Sequence, residues 1–134
     1  MEDVYILGLS NDYTPPSSSF GIETYNFTLQ VEKDIESITK ISCCLNGRIE
    51  EIFKSLNKYY VALHLSMDIR IDYMCIENTI NFHMFNLNKL IYINLGEHIN
   101  TKDFNIDTEI LDLGIINIKE NKVDIYSLVL ACLY

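Results

Sequence analysis

The segment from Tyr59 to Met74, YYVALHLSMDIRIDYM, has an apolar side chain at every odd position from Tyr59 to Tyr73. Its even positions from His64 to Asp72 are all polar. Successive side chains of a β-strand point to opposite faces of a sheet, whereas a helix would scatter these residues around its circumference. The pattern therefore predicts one long strand with a buried face and a solvated face. Burial on one face only is typical of antiparallel sheets rather than of a parallel α/β core.

Segments before the long strand carry the same signal. Thr24 to Val31 alternates between apolar and polar residues and predicts a strand. Ile41 to Glu51 predicts another strand, with Gly47 as a bulge or bend. The segment from Ile49 to Lys54 is expected to pair with the long strand through the turn Ser55–Lys58, because Asn57 tolerates the left-handed conformation of tight turns.

Segments after the long strand predict further short strands. A turn at Glu77–Asn78 leads into a strand from Thr79 to Phe85, and Leu90 to Leu95 predicts another that ends at Gly96. Residues 97 to 105 are predicted as a loop, and the last hairpin comprises Ile106–Ile118 and Val123–Tyr134. The expected fold is all-β, a single antiparallel β-sandwich or a small open barrel with a short N-terminal apolar arm.

The first twenty residues differ from the rest. Val4 to Leu9 is apolar, and Pro15-Pro16 with three serines after it cannot continue a strand or helix. We therefore predict an arm and linker at residues 1–20 and a sandwich domain at residues 21–134. The arm is a first strand on its own sheet, a disordered terminus, or a strand added to a neighbouring subunit. Its candidate assembly residues are Val4, Tyr5, Ile6, Leu7 and Leu9.

Charge and length exclude several classes of function. The chain has 134 residues, enough for one domain, and a net charge of −9 with its basic residues scattered singly. Nucleic-acid binding depends on clustered Lys and Arg, so no nucleic-acid partner is expected. The start, MEDVYILGLS, has neither the charge nor the apolar length of a signal peptide or a membrane helix. We expect synthesis in the cytoplasm without a signal peptide and no membrane insertion.

The four cysteines, Cys43, Cys44, Cys75 and Cys132, form no CxxC motif and match no Cys/His zinc spacing. No metal is expected, and in a reducing cytoplasm these residues are free thiols. Cys43 and Cys44 are adjacent, so on a strand they point to opposite faces and only one can join the core. The other is available for an intermolecular disulfide in an oxidising environment.

The spacings that catalysis requires are missing. The sequence has no GxSxG turn, no Gly-rich phosphate loop and no HExxH motif, so we expect neither an enzyme nor a cofactor. His64 and His83 can become neighbours across a hairpin, although histidines on the surface of a sheet usually have no catalytic or metal-binding role. Asp68 and Asp72 flank Arg70, which is typical of a solvated face or a polar contact patch. Strand tyrosines suit a core edge or an assembly surface; they are Tyr59, Tyr60, Tyr73, Tyr92, Tyr126 and Tyr134.

Several parts of the chain resemble a known domain. The run GRIEEIFKSLNKYYVALHLSMDIRIDYM, the turn at Glu77–Asn78 and the segment TINFHMFNLNKLIYINLG resemble the SPOCS domain of spore coat and spore morphogenesis proteins of clostridia and bacilli. The segment TEILDLGIINIKENKVDIYSLVLACLY resembles the closing hairpin of that domain. The resemblance as a whole extends from about Thr24 to Tyr134. Asn57-Lys58 stands where the family usually has a glycine in the central turn.

The resemblance implies a structural role, because the family contributes no catalytic residues. We expect a self-assembling protein of the bacterial endospore envelope, in the coat, exosporium or an appendage, made in the mother-cell cytoplasm. Its partners would be other copies of itself or other coat proteins. Subunits would be joined by strand addition and by intermolecular disulfides. The alternative is a monomeric adaptor that docks a spore coat morphogenetic partner, and a small ligand-binding or enzymatic sandwich with a pocket at His64 or His83 is a third reading.

Overall fold

The computed structural model describes residues 4–9, 20–98 and 104–133, and these residues form seven β-strands and no helix. In chain order the strands are β1 (Tyr5–Leu7), β2 (Phe20–Gln30), β3 (Ile35–Ser55), β4 (Lys58–Cys75), β5 (Ile80–Gly96), β6 (Ile106–Lys119) and β7 (Lys122–Leu133). Most of the predicted linker, part of the predicted loop after Gly96 and Tyr134 lie outside the described residues.

The strands form two sheets that pack face to face as an open sandwich. One sheet has the order β1-β3-β4-β5 and the other the order β2-β7-β6. Neighbouring strands are antiparallel except β1, which runs parallel to β3. The all-β sandwich predicted from the sequence is confirmed, and the long strand, β4, lies in the interior of its sheet.

The alternation in β4 produces the expected division into faces. Its odd positions from Val61 to Tyr73 are at most 1% exposed and form the centre of the core. The facing sheet contributes the inward side chains of β7, among them Val123, Ile125 and Val129. A fully buried aliphatic side chain contributes about 1.5–3 kcal/mol relative to an exposed one. The strict alternation therefore stabilises one pairing register, because a slip by one residue would expose this whole row.

Tight turns close the hairpins where the sequence predicts them. Leu56 and Asn57 connect β3 to β4 with φ values of 49° and 65°, which suit a two-residue hairpin turn. Glu120 and Asn121 connect β6 to β7, and Glu120 has a φ of 57°. The turn at Glu77–Asn78 is also confirmed, since the Asn78 amide donates to the Cys75 carbonyl at 2.9 Å.

Two predictions about the strands were wrong, and a third gave bounds that are too short. The two strands predicted after the Glu77–Asn78 turn form one strand, β5, and β3 extends from Ile35 to Ser55, beyond the predicted Ile41 to Lys54. No bulge occurs at Gly47, which pairs in register with Leu65; the nearest irregularity lies between Ile49 and Glu51. Gly47 instead allows a close approach of β6, because a Cβ there would lie 2.8 Å from Thr108 Cγ2.

Candidate functional site

The N-terminal arm adds a strand to the edge of β3. Tyr5, Ile6 and Leu7 pair with Lys40, Ile41 and Ser42. Leu9 then forms an isolated parallel bridge with Ile110 of β6, in the other sheet. The arm therefore connects the two sheets along the side where β3 lies near β6, and its Val4, Ile6 and Leu9 side chains pack against the core.

The arm approaches β3 more closely than any side chain would permit. Gly8 has a φ of 105°, a region that favours glycine, and a Cβ there would lie 1.9 Å from the Cys43 carbonyl oxygen. The Cys43 thiol donates a hydrogen bond to the Leu7 carbonyl, with a sulfur–oxygen distance of 3.1 Å. Gly8 and Cys43 together fix the position of the arm on the edge of β3.

The structure separates the four cysteines by burial. Cys43 is buried and Cys44 is exposed on the opposite face of β3, as their adjacency predicts. Cys75 and Cys132 are both 0% exposed. No disulfide forms within the described part of the chain, so pairing between subunits stays a prediction. Cys44 is the member of the set that another subunit can reach without opening the fold.

The local environments shift the pKa values of two thiols in opposite directions. Burial, helped by the neighbouring Cys44, raises the pKa of Cys43 to about 11. The hydrogen bond with the Thr79 hydroxyl, at 2.8 Å, lowers the pKa of the Cys75 thiol, although burial opposes that effect. The Cys43 thiol therefore stays protonated and keeps its hydrogen bond to the arm at neutral pH.

The outer face of the four-stranded sheet carries an aromatic cluster beside His64. Phe53 stacks on Tyr60 with ring centroids 5.7 Å apart and meets Tyr92 edge-on at 6.0 Å. An open depression lies next to this cluster; its lining consists of Glu50, Glu51, Phe53, Ala62, His64, Leu90 and Tyr92.

The two histidines are not neighbours. His64 pairs with Leu90 on the outer face, whereas His83 pairs with Ile71 on the core-facing side of β5. The His83 ring lies 4.6 Å from the ring of Phe85. The expectation that a hairpin could bring His64 and His83 together was wrong, because their registers place them on opposite faces of the sheet.

The charged side chains on the outer face of β4, Asp68, Arg70 and Asp72, interact with several different partners. Arg70 forms an ion pair with Asp72 at 3.1 Å, and its guanidinium lies 4.2 Å from the centroid of the Phe82 ring. Asp68 accepts a hydrogen bond from Asn86 at 2.7 Å. The two carboxylates therefore interact with different residues of the same sheet, Arg70 and Asn86, and they do not face a common site.

Sequence reasoning missed the outward-facing apolar residues of β5. Ile80, Phe82 and Met84 are 74%, 57% and 64% exposed, and Leu90 and Tyr92 are also exposed on the same face. The loop at residues 76–79 places Ile80 opposite Met74, which is an even, outward position of β4. Counting that loop length would have placed these side chains on the outer face.

Polar groups are also buried between the sheets. The hydroxyls of Tyr25 and Ser127, which are cross-strand neighbours on β2 and β7, are buried without a hydrogen-bond partner in the described structure. The Lys89 ammonium lies 4.3 Å from the centroid of the Tyr25 ring at the seam between β5 and β2.

Among residues 4–9, 20–98 and 104–133, no group of three His, Cys, Asp or Glu residues could hold a metal ion, and no helix could cross a membrane.

Comparisons with known proteins return no match. No protein-family model, no curated protein and no solved structure is significantly similar to this chain. The assignment to a class therefore ends at the fold, an open all-β sandwich with an added N-terminal strand.

Proposed function

We propose that this protein is a structural, self-assembling component of the bacterial endospore envelope. The observation that carries the proposal is that strand β1 of the arm, Tyr5–Leu7, is added separately to the edge of β3. The resemblance of residues 24 to 134 to the SPOCS domain supports the spore envelope as its location. The proposed role is non-catalytic.

The geometry of the arm suits exchange between copies. Only three residues of β1 pair with β3, and the arm is not part of a hairpin, so no tight turn ties it to its own sheet. The acceptor edge of β3 would accept the same residues from a neighbouring copy with identical hydrogen bonds and the same Gly8–Cys43 contact. Exchange of an identical element is a low-cost route to assembly.

The thiols supply a second kind of link. Cys44 is exposed on the outer face of β3, so two copies can form a disulfide through it once the protein reaches an oxidising environment. Links through Cys43, Cys75 or Cys132 require local opening, because all three are buried.

The test compares the intact chain with a variant that lacks residues 1–9, each with and without reductant. Light scattering should show assemblies of the intact chain, electron microscopy should show filaments or sheets that shorten in reductant, and the truncated variant should form smaller species. The Cys44→Ser variant separates the two kinds of link, since it should assemble through the arm but lose its sensitivity to reductant. A monomer under every condition would refute self-assembly.

The location has its own test. An antibody against the protein should detect it in the extracted surface layers of purified spores from the organism that encodes it. Detection only in vegetative cells would refute the envelope assignment without affecting the assembly result.

A monomeric adaptor is the second candidate, and the depression beside His64 favours it. Exposed Tyr92 and Leu90 next to Glu50 and Glu51 form a mixed apolar and acidic surface of the kind that docks partners. This alternative predicts a monomer in solution and recovery of a coat morphogenetic protein by the intact chain but not by the Tyr92→Ala variant.

A further inference from the structure

Strand β5 is a long, regular edge of the four-stranded sheet. It contains 17 residues and pairs with β4 without irregularity from Asn94 to Ile80. In the described part of the chain, no strand pairs with its other side. Its sequence, INFHMFNLNKLIYINLG, contains one charged residue, Lys89, and no proline.

These properties are unusual for a sheet edge exposed to solvent. Edges normally carry charges, prolines or bulges that prevent pairing with another chain. An inward-pointing lysine is one such device, but the Lys89 ammonium lies over the Tyr25 ring, toward β2 of its own chain. The backbone edge of β5 is therefore open to a further strand.

The outer face of β5 has a pattern that complements itself. Its alternate side chains run from apolar residues through two asparagines to apolar residues again; in order they are Ile80, Phe82, Met84, Asn86, Asn88, Leu90 and Tyr92. If two copies of β5 are placed antiparallel with the midpoint at Leu87, a residue that precedes Leu87 faces the partner residue that follows Leu87 by the same number of positions. The two central asparagines then meet each other and Phe82 and Met84 meet apolar residues, whereas Ile80 meets Asn94 at the end of the paired segment.

We propose that β5 pairs with β5 of a second copy of this chain, antiparallel and in the register centred on Leu87. Phe82 then lies opposite Tyr92 of the partner subunit, and Met84 lies opposite Leu90 of the partner subunit. Asn86 lies opposite Asn88 of the partner subunit. The two four-stranded sheets become one continuous sheet, and the exposed apolar residues of β5 form cross-strand pairs, which stabilise sheets.

Charge favours this edge as the meeting point of two copies. Each chain carries a net charge of −9, so most of its surface repels a second copy, whereas β5 contains a single positive charge and no acidic residue. The interface rests on the proposed self-assembly but is distinct from the arm on β3, which lies at the opposite edge of the same sheet.

Cysteine cross-linking tests the register. Asn86→Cys and Asn88→Cys are prepared in a Cys44→Ser background, which removes the exposed native thiol, and are oxidised alone and as a mixture. The proposed register places position 86 beside position 88 of the partner subunit, so the mixture should form covalent dimers, and each variant alone should not. Directly paired residues lie within disulfide distance, and positions two residues out of register do not. Dimers of one variant alone, or no dimers in the mixture, would overturn the proposal.

A charge substitution tests the interface independently. Met84→Glu should leave the fold intact, because Met84 is exposed and pairs with Arg70 on β4. It should raise the dissociation constant of the dimer about tenfold, because the Met84–Leu90 pair occurs twice in the symmetric interface and both copies are lost. Ile76→Glu is the matched control, since Ile76 is equally exposed but lies outside β5, and it should leave the dissociation constant unchanged.

The outcomes also separate this inference from the proposed function. Assembly that persists with Met84→Glu and without the mixed cross-link would overturn the β5 interface and leave arm-mediated assembly in place. A chain that stays monomeric in light scattering at all concentrations would overturn both.

Discussion

Two hydrogen bonds connect Asn121 and Val31. The Val31 amide donates to the Asn121 carbonyl at 2.8 Å, and the side-chain amide of Asn121 donates to the Val31 carbonyl at 3.0 Å. Asn121 lies in the turn between β6 and β7, and Val31 begins the crossover from β2 to β3. The Ile35 amide donates to the Glu120 carbonyl at 2.9 Å in the same place. The turn therefore fixes the point where the chain passes from one sheet to the other.

Replacing Asn121 with alanine should weaken this junction. The substitution leaves the partly buried Val31 carbonyl without its side-chain donor, which should lower the free energy of unfolding by about 1–2 kcal/mol. Urea denaturation of Asn121→Ala measures the loss. Asn117→Ala, an exposed position in the same hairpin, is the control and should change little. Equal midpoints for the two variants would contradict the role of this hydrogen bond.

Gly114 and Tyr126 form a cross-strand pair in which the tyrosine ring covers the glycine. A Cβ on Gly114 would lie 2.5 Å from Tyr126 Cε1, and the Tyr126 hydroxyl donates to Asp112 at 3.1 Å. Gly114→Ala should displace the ring and lower stability by about 1 kcal/mol. The same substitution in a Tyr126→Ala background should cost less, because no ring is in the way. Equal costs in both backgrounds, measured by thermal unfolding, would exclude this contact as the cause.

The sequence predicts the parts of this fold that depend on local rules. The alternation in β4 identifies the strand and its buried face, and asparagine in the β3–β4 turn identifies the hairpin. Strand continuity failed where polar residues interrupt apolar ones, as at Asn86 and Asn88 in β5, because cross-strand hydrogen bonds with β4 override weak local β-propensity.

The candidate site is less predictable because it depends on which strands lie at an edge. Adjacency on a strand suffices to place Cys43 and Cys44 on opposite faces, as found. The outward position of Phe82 depends on the loop length after Cys75, and the parallel pairing of Tyr5 with Lys40 depends on contacts far apart in sequence. The alternation of apolar and polar residues predicts neither arrangement, because it indicates which side chains share a face of the sheet but not which strands lie next to each other.

Ser127 is buried in the core, and its hydroxyl has no hydrogen-bond partner in the described structure. Burial of an unpaired hydroxyl is unfavourable, so Ser127→Ala should raise the free energy of unfolding by about 1 kcal/mol. Ser66→Ala, on the outer face of β4, is the control; it loses a hydrogen bond from Asn86 and should not stabilise the protein. Urea denaturation distinguishes them, and a destabilised Ser127→Ala variant would mean that this hydroxyl is satisfied in solution.

Tyr25 should make the protein less stable at high pH. Burial, with a smaller contribution from Glu23, raises the pKa of Tyr25 from 10.0 to about 12 in the folded state. Both states are protonated below pH 10, but between pH 10 and 12 the unfolded chain has lost this proton and the folded chain retains it. Stability therefore falls with rising pH across that interval.

The Tyr25→Phe variant isolates this effect, because Cys43, whose pKa is raised to about 11, contributes to the same alkaline loss in both proteins. Denaturation at a series of alkaline pH values should show a shallower fall for Tyr25→Phe than for the native chain. Parallel curves would show that Tyr25 ionises as readily in the folded protein as in the unfolded one.

Cys44 should be the thiol that reacts first with an alkylating reagent. Cys44 is exposed, whereas Cys43, Cys75 and Cys132 are buried, and Cys43 is further protected by its raised pKa and its hydrogen bond to Leu7. Mass spectrometry of the native protein at neutral pH should show one rapid modification, located at Cys44, and slow modification at the other sites. Cys44→Ser should abolish the rapid phase. Removal of residues 1–9 should accelerate modification of Cys43 but not of Cys75, because the arm covers Cys43 alone of these two; equal acceleration at both would indicate general loosening of the fold instead.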